Sequence, residues 1–241
     1  MFDPEALYIF LCYYCSQYVI LLKEGTILTL KPPAIPAGLI KKALDLEVVA
    51  AINAEEAVTD ALFDGETLPS VDAASLDFSR CAFHRVRFEP CEADRVHFSD
   101  CRFEACDLSG FQFREGTLSR VAFDNCRLSG ALFSHMNLRD VSLERSQLNY
   151  ASFVDCKLQA VAFGDCQMDQ ALLHGCKQKG LSLERCDLTR AEFIETRLEG
   201  VDLSSCSLDG LRASQGCLTG ATVGLSQTPA VLALFGINVR L

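Results

Sequence analysis

The sequence predicts an all-β fold, a solenoid whose coils stack into a rod. Three observations predict it. Apolar residues recur at every fifth position from Phe78 to Val223 without an insertion. Residues of one kind recur at every twentieth position, and the segments at both ends of the chain leave this frame. A helix repeats every 3.6 residues and a plain strand every 2, so neither produces a period of five.

The period of five indicates two inward positions in each unit. Of the thirty positions in the main frame, only Gln178 is polar. A second set lies two residues earlier in each unit and consists mostly of small or β-branched residues, such as Cys81 and Val86. The three remaining residues are mostly charged, hydroxylated or glycine. We therefore expect them to face outward, with the glycines at the last position serving as corners that need a permissive backbone.

The period of twenty predicts four units per coil. The second inward position gives one column of cysteines, interrupted by Ser146: Cys106, Cys126, Cys166, Cys186 and Cys206. Phenylalanines separate onto two opposite faces in the same way: Phe83, Phe103, Phe123 and Phe163 on one, Phe113, Phe133, Phe153 and Phe193 on the other. Each residue should therefore stack on its equivalent in the next coil.

Two units are near-ideal copies of a known motif. The units 106–110 (CDLSG) and 186–190 (CDLTR) resemble the A(D/N)LXX unit of the pentapeptide-repeat family. The resemblance extends over about residues 68–225 and implies a right-handed quadrilateral β-helix. Thirty units then make about seven to eight coils, or a rod of roughly 35 Å at about 4.8 Å per coil.

The apolar N-terminal segment 1–30 precedes this repeat. Its run 7–22 is short for a membrane helix and is interrupted by Ser16 and Gln17. The flank carries Asp3 and Glu5 in place of Lys or Arg, so it is a poor signal peptide. Three interpretations stay open: packing on the solenoid, translation from a later start codon, or a membrane anchor, which is not favoured.

Residues 31–67 are predicted to form a proline-rich linker followed by a helical cap. Pro32, Pro33 and Pro36 favour an extended chain. Apolar residues at helical spacing follow between Gly38 and Phe63, so we expect a helix that packs on the first coil.

Residues 226–241 are predicted to form a C-terminal cap. Ser226 suits a helix N-cap, Pro229 the first turn and Gly236 the C-cap, with a strand at 237–241. This ending resembles the cap of Qnr-type and mycobacterial quinolone-resistance members of the family, in which a similar helix and strand form the dimer interface. The resemblance implies a homodimer; the alternative is a cap that only covers the last coil. The residues assigned to dimerisation are Leu232, Leu234, Phe235 and Ile237.

Charge and cysteine placement narrow the function. The net charge of −10 argues against direct binding of nucleic acid through phosphate contacts and fits a basic partner. The repeat places most of the thirteen cysteines inside, which predicts free thiols in a reducing, cytoplasmic compartment.

Cys12 and Cys15 form the only CxxC pair, so we expect no metal and no cofactor. Four histidines map outward on three faces, and no set of catalytic type is present, so we expect no enzyme: His84, His97, His135 and His174.

Two outward groups are candidate binding sites. The first, called here the acidic column, consists of residues that directly follow the central inward residue on the face of Phe103 and Phe123: Glu104, Asp124, Glu144 and Glu184. The resemblance implies that such a column imitates DNA phosphates and binds DNA gyrase, protecting it from quinolones or toxins. The alternative is a solvated face, since Arg85, Arg145 and Arg185 partly neutralise it.

The second group, called here the aliphatic group, is predicted to form one outward row on the face of Phe133 and Phe153: Leu132, Val154, Leu172 and Ile194. It predicts a cover, either the N-terminal segment or a partner. Lys177-Gln178-Lys179 interrupts the frame for no evident structural reason. The second functional hypothesis is therefore a scaffold or adaptor for another protein, possibly associated with a membrane.

Overall fold

The predicted β-solenoid is confirmed. The computed structural model describes residues 18–21, 27–70, 75–90, 95–237 and 239. They form a right-handed β-helix of about 8 turns with two short α-helices. From Val58 onward each coil contains twenty residues, because strands pair in parallel with the strand twenty residues onward, as Phe103 does with Phe123.

The four sides of the rod are called faces 1 to 4 in chain order, and they carry the units that begin at residues 96, 101, 106 and 111 and their repeats. Faces 1 and 2 share one ten-stranded sheet, because its longer strands continue around the corner between them. Its strands are β3 (Ile40–Lys41), β4 (Val58–Thr59), β5 (Ala61–Asp64), β7 (Leu76–Ser79), β8 (Ala82–His84), β10 (Val96–Glu104), β12 (Thr117–Asp124), β14 (Asn137–Glu144), β16 (Lys157–Gly164) and β18 (Lys177–Glu184).

Faces 3 and 4 are built from shorter strands. Face 3 holds the pair β6 (Thr67–Leu68) and β9 (Arg87–Phe88), which isolated bridges continue from Arg87 to Ser207. Face 4 carries a six-stranded sheet. Its strands are β11 (Gln112–Arg114), β13 (Leu132–Ser134), β15 (Ser152–Val154), β17 (Leu172–His174), β19 (Glu192–Ile194) and β20 (Arg212–Ala213).

The core consists of ladders of like residues, as the period of twenty predicts. The rings of Phe113, Phe133 and Phe153 stack in parallel with centroids 4.4 and 4.5 Å apart. All ten cysteines of the described residues are free and buried, which confirms the prediction for these positions. Hydrogen bonding with Cys166 and burial raise the pKa of Cys186 to about 12, so this thiol is poorly reactive.

The corners require left-handed backbone. Gly110 and Gly130, predicted to be corners, have φ of 69° and 67°. Non-glycine residues occupy most other corners at similar angles, including Asp140 (φ 56°) and Tyr150 (φ 62°). Hydrogen bonds between successive coils hold each corner in place. The corners therefore accept residues other than glycine, although a left-handed backbone is unfavourable for such residues in isolation.

The solenoid begins about ten residues before the predicted boundary at 68. Val58, Phe63 and Leu68 are buried, and β4 and β5 pair with β7 and β8 of the next coil. These three residues continue the same five-residue spacing, so the signal was present in the sequence. The predicted helical cap is α1 (Leu44–Ala54), which buries Leu44 and Val48 against the first coil.

At the C-terminus a 3-10 turn (Leu225–Gln227) leads into α2 (Thr228–Ala233). Ser226 lies inside the turn, so the predicted N-cap is wrong, and Gln227 directly precedes the helix. The Gln227 amide donates to the carbonyls of Leu203 (2.7 Å) and Cys206 (2.6 Å), which closes the end of the last coil. Helix α2 ends at Ala233 with Leu234 as its C-cap, so the predicted C-cap at Gly236 is wrong; Gly236 lies in the following turn at φ 71°. Residues 237 and 239 lie outside any strand, and the rest of the predicted strand 237–241 lies outside the described residues.

The N-terminal strands β1 (Tyr18–Leu21) and β2 (Ile27–Leu30) form an antiparallel hairpin. Strand β2 packs against β14 and β16, so this part of the segment contacts the solenoid. Most of the apolar run 7–22 lies outside the described residues. Within the described part of the chain, no helix has the length and apolar character needed to span a membrane.

Candidate binding surfaces

The acidic column is continuous in register along face 2. Glu104 pairs with Asp124, Asp124 with Glu144, and Glu144 with Gly164, which in turn pairs with Glu184. The parallel ladder therefore places Glu104, Asp124 and Glu144 one coil apart. Glu184 lies two coils beyond Glu144, because Gly164 occupies the coil between them. The predicted alignment is present in the structure.

The sequence predicts that all four carboxylates point into water. In the structure only some of them do. Glu104 is exposed, whereas Asp124 forms an ion pair with Arg145. The side chain of Glu184 is only 14% exposed and lies 3.6 Å from Arg185. The column thus presents one exposed carboxylate and three that are paired or partly buried.

Glu144 is the most perturbed member of the column. Its carboxylate lies in the space above Gly164, where a Cβ would clash with it. Burial, together with the nearby charges of Asp165 and Glu184, raises the pKa of Glu144 to about 7, and burial also raises the pKa of Glu184. Near neutral pH the column therefore carries less than its formal charge.

A column of small outward side chains lies beside Glu144 and Glu184 on face 2. Face 2 carries Ala122, Ser142, Ala162 and Ser182 in register, one per coil. Ala162 and Ser182 are 1% and 2% exposed although their positions point away from the core. Since β2 packs on β14 and β16, we conclude that the hairpin covers the part of this small-residue column that lies on those two strands. The spacing of twenty was visible in the sequence, but small residues do not by themselves indicate a cover.

Two buried carboxylates at the corner between faces 1 and 2 hold the chain that follows the hairpin. The Lys31 amide donates to Asp140 (3.1 Å) and the Ala34 amide to Asp100 (2.9 Å). Arg120 also binds Asp100, with 2.6 Å between Nη2 and Oδ2. Burial opposes ionisation of Asp100, but the hydrogen bonds from Arg120 and Ala34 outweigh it and lower its pKa. The segment thus runs along the rod, towards the first coil.

Comparison with known proteins identifies the repeat. A family model described as a pentapeptide repeat region matches residues 76–153 and 117–193, and a model of pentapeptide repeats in eight copies matches residues 186–222. Together they span more than half of the chain. The chain belongs to the pentapeptide-repeat family.

Two solved structures are similar to this pentapeptide-repeat protein at low sequence identity. A trypsin-treated form of QnrB1, a plasmid-mediated fluoroquinolone resistance protein, is 23% identical over 77% of this chain and 90% of that chain, with a TM-score of 0.41. HetL, involved in heterocyst differentiation regulation in the cyanobacterium Nostoc, is 15% identical over 72% and 92%, with a TM-score of 0.33. No curated protein sequence matches the chain.

The aliphatic group occupies two columns of this pentapeptide-repeat rod, so its members do not form the single row expected. Leu132 and Leu172 lie in one column with Ser152 between them. Val154 and Ile194 lie in the other, separated by His174. All four are half-buried and belong to face 4, whereas the hairpin packs on the sheet of faces 1 and 2. Among the described residues, the hairpin is therefore not the cover of this group.

The residues assigned to dimerisation divide into two sets. Leu232 and Leu234 are half-buried, and Leu234 packs partly against the core of its own solenoid. Phe235 and Ile237 are 72% and 50% exposed, and Leu225 nearby in sequence is 91% exposed. The C-terminal cap thus closes the rod with one side and presents apolar side chains on the other.

The histidines show no arrangement of catalytic type in the described part of the chain. His84 lies 3.0 Å from Asp64, and His135 and His174 lie 3.9 and 4.0 Å from single carboxylates. All are at least partly exposed. Within the described ranges, no group of three or more His, Cys, Asp or Glu side chains is arranged to hold a metal ion.

Proposed function

We propose that this pentapeptide-repeat protein acts without catalysis, by binding a basic protein surface along its acidic column, and that DNA gyrase is the partner to test first. The observation that carries the proposal is the in-register stacking of Glu104, Asp124, Glu144 and Glu184. At about 4.8 Å per coil, they extend over about 19 Å of the rod. A groove built for phosphates attracts such a row of carboxylates.

The accessible end of the column is the one nearer the N-terminal coils. Glu104 is exposed and Asp124 is partly exposed, whereas Glu144 and Glu184 border the small-residue column under the hairpin. A basic partner would therefore contact Glu104 and Asp124 first. Contact with the other two requires the partner to compete with the hairpin or to reach past its edge.

Homodimerisation through the C-terminal cap is part of the proposal. The exposure of Leu225, Phe235 and Ile237 supports it, because exposed apolar side chains grouped at one end of a rod favour association. A dimer would place two acidic columns in one particle. A reducing, cytoplasmic location is also proposed, supported by the buried free thiols.

The decisive experiment is a gyrase supercoiling assay with and without ciprofloxacin. The test variant replaces the column by isosteric amides, Glu104→Gln, Asp124→Asn, Glu144→Gln and Glu184→Gln, which should preserve folding. The control removes four exposed carboxylates elsewhere: Glu115→Gln, Asp155→Asn, Glu195→Gln and Asp209→Asn. We expect wild type and control to alter gyrase activity and the column variant to have lost the effect. A folded column variant with full effect would exclude the column as the binding site.

The second candidate function is a scaffold or adaptor that binds a protein through face 4. It is favoured by the half-exposed aliphatic group, which no described segment covers. This function predicts no effect of the wild-type protein on gyrase. It also predicts that Leu132→Ser with Leu172→Ser abolishes partner binding, whereas the four-amide column variant retains it.

A further inference from the structure

Face 1 carries a group of cations on its later coils, called here the basic patch: Arg139, Lys157, Lys177, Lys179 and Arg197. All five residues are exposed. Lys157 and Lys177 are directly paired in register, and Gln159 separates Arg139 from Lys179 in the neighbouring column. Hydrogen bonds from Cys176 to Thr196 and from Gln178 to Glu199 place Arg197 on the following coil.

The basic patch lacks the partners that the corner arginines have. Within the described residues, Lys157, Lys177, Lys179 and Arg197 form no ion pair, and Arg139 only approaches the largely buried Asp140, at 3.6 Å. At the corners, by contrast, arginine and carboxylate pair between successive coils, as in Arg80–Asp60 (2.6 Å) and Arg185–Asp165 (2.7 Å). The rod thus neutralises its corner cations and leaves those of face 1 available.

Stacked lysines do not stabilise the folded chain. Like charges directly opposite each other on neighbouring strands repel, as Lys157 and Lys177 do here. Gln178 keeps the strand in place between Lys177 and Lys179. Its side-chain amide donates to the Glu199 carbonyl (3.0 Å) and accepts from the Leu181 amide (3.3 Å). An anionic ligand would remove the repulsion.

We propose that the basic patch binds an acidic, extended segment of a protein partner. Lys177 and Lys179 lie two residues apart on one strand, which is about 6.7 Å, and alternate side chains of an extended acidic segment have the same spacing. Lys157 and Arg197 lie two coils apart, about 10 Å. The spacing of the cations in the patch therefore fits a segment with a few acidic side chains.

The borders of the patch favour a short acidic segment over nucleic acid. Asp155 and Glu195 occupy the corner with face 4, and Glu199 lies beside Arg197 on face 1. A duplex extends past the patch in both directions and would meet these carboxylates and the rest of a chain with net charge −10. A segment of a few residues centred on Lys177 and Lys179 meets fewer of these carboxylates than a duplex does. This site is separate from the acidic column, so it does not depend on the gyrase proposal.

The test measures binding of a fluorescent peptide of about four glutamates, which spans about 13 Å when extended. A duplex DNA of about twelve base pairs serves as the competing probe, at a low salt concentration of about 20 mM where exposed charges are weakly screened. The test variant is Lys157→Gln with Lys177→Gln. The matched control, Arg87→Gln with Arg127→Gln, removes the same charge from exposed residues of face 3.

We expect the lysine variant to bind the peptide about fivefold more weakly, the effect of losing two exposed ion pairs, and the control to bind as wild type does. Equal weakening in both variants would show attraction by overall charge and overturn the proposal. Preferred binding of the duplex, lost in the lysine variant, would overturn it in favour of nucleic acid. Absence of binding by either probe would also overturn it.

Discussion

The carboxylate of Glu144 lies in the space left open by Gly164, one coil further along face 2. Any Cβ at residue 164 would clash with it. Because the hairpin covers the neighbouring small-residue column, this carboxylate is held partly out of water. The acidic column and the N-terminal hairpin are therefore linked through Glu144.

Ionisation of Glu144 is expected to destabilise the fold. Its pKa is raised from 4.5 to about 7, so the folded state binds the proton more tightly than the unfolded chain, and the free energy of unfolding falls as pH rises between these values. The free energy of unfolding of Glu144→Gln, relative to that of wild type, should therefore be about 1–3 kcal/mol higher at about pH 8 than at about pH 4.5. Urea unfolding at both pH values measures this. Glu104→Gln, an exposed member of the same column, is the control and should show no such gain.

Gly164→Ala should displace the Glu144 carboxylate without unfolding the rod, because the clash involves the end of a flexible side chain. The displaced carboxylate gains water, so the pKa of Glu144 should fall from about 7 towards its ordinary value. An NMR titration of the Glu144 side-chain carboxyl measures the change. An unchanged pKa would mean that the space above residue 164 does not cause the perturbation.

The stacked rings of face 4 should dominate stability. Phe133 is 1% exposed and lies between Phe113 and Phe153. Phe133→Ala should lower the free energy of unfolding by about 3–5 kcal/mol, through lost burial and the cavity left behind. Phe235→Ala, at a residue that is 72% exposed, should change it by about 0.5 kcal/mol or less. Denaturant unfolding that ranks the two variants equally would contradict the assigned register.

Asp140 is expected to anchor the segment that follows the hairpin. Asp140→Ala removes the acceptor of the Lys31 amide, so hydrogen exchange of residues 27–34 should accelerate while the core coils remain protected. Asp155→Ala, at an exposed corner, should leave that exchange unchanged. Unchanged exchange in Asp140→Ala would show that the hairpin is held by packing on face 2 alone.

The C-terminal cap is expected to carry the dimer through its exposed residues. Phe235→Glu with Ile237→Glu should give a monomer with an intact far-ultraviolet spectrum, because neither side chain is buried in the solenoid. Sedimentation velocity at micromolar concentration measures the change. Deleting 226–241 is a poorer test, since it also removes the Gln227 amide that closes the last coil. A wild-type protein that is already monomeric would contradict the dimer.

The repeat could be predicted from the sequence because its determinants are local. A period of five fixes which residues point inward, and a period of twenty fixes which residues stack, so the face and column of Phe133 or Cys106 follow from residue number alone. The same spacing includes Val58, Phe63 and Leu68, which extend the solenoid towards the N-terminus. At the C-terminus, residue types located the helix but neither its first residue nor its C-cap, since Gln227 is engaged by the last coil and the helix ends at Ala233.

The tertiary structure alone decided how accessible the candidate sites are. The amides of Lys31 and Ala34 bind carboxylates 109 and 66 residues away, and no periodicity encodes contacts between such distant segments. The sequence by itself determined that Glu144 and Glu184 lie in the acidic column. Packing over face 2 determined that these carboxylates are partly buried and hard to ionise, because burial depends on what packs over a face as well as on the residues that form it.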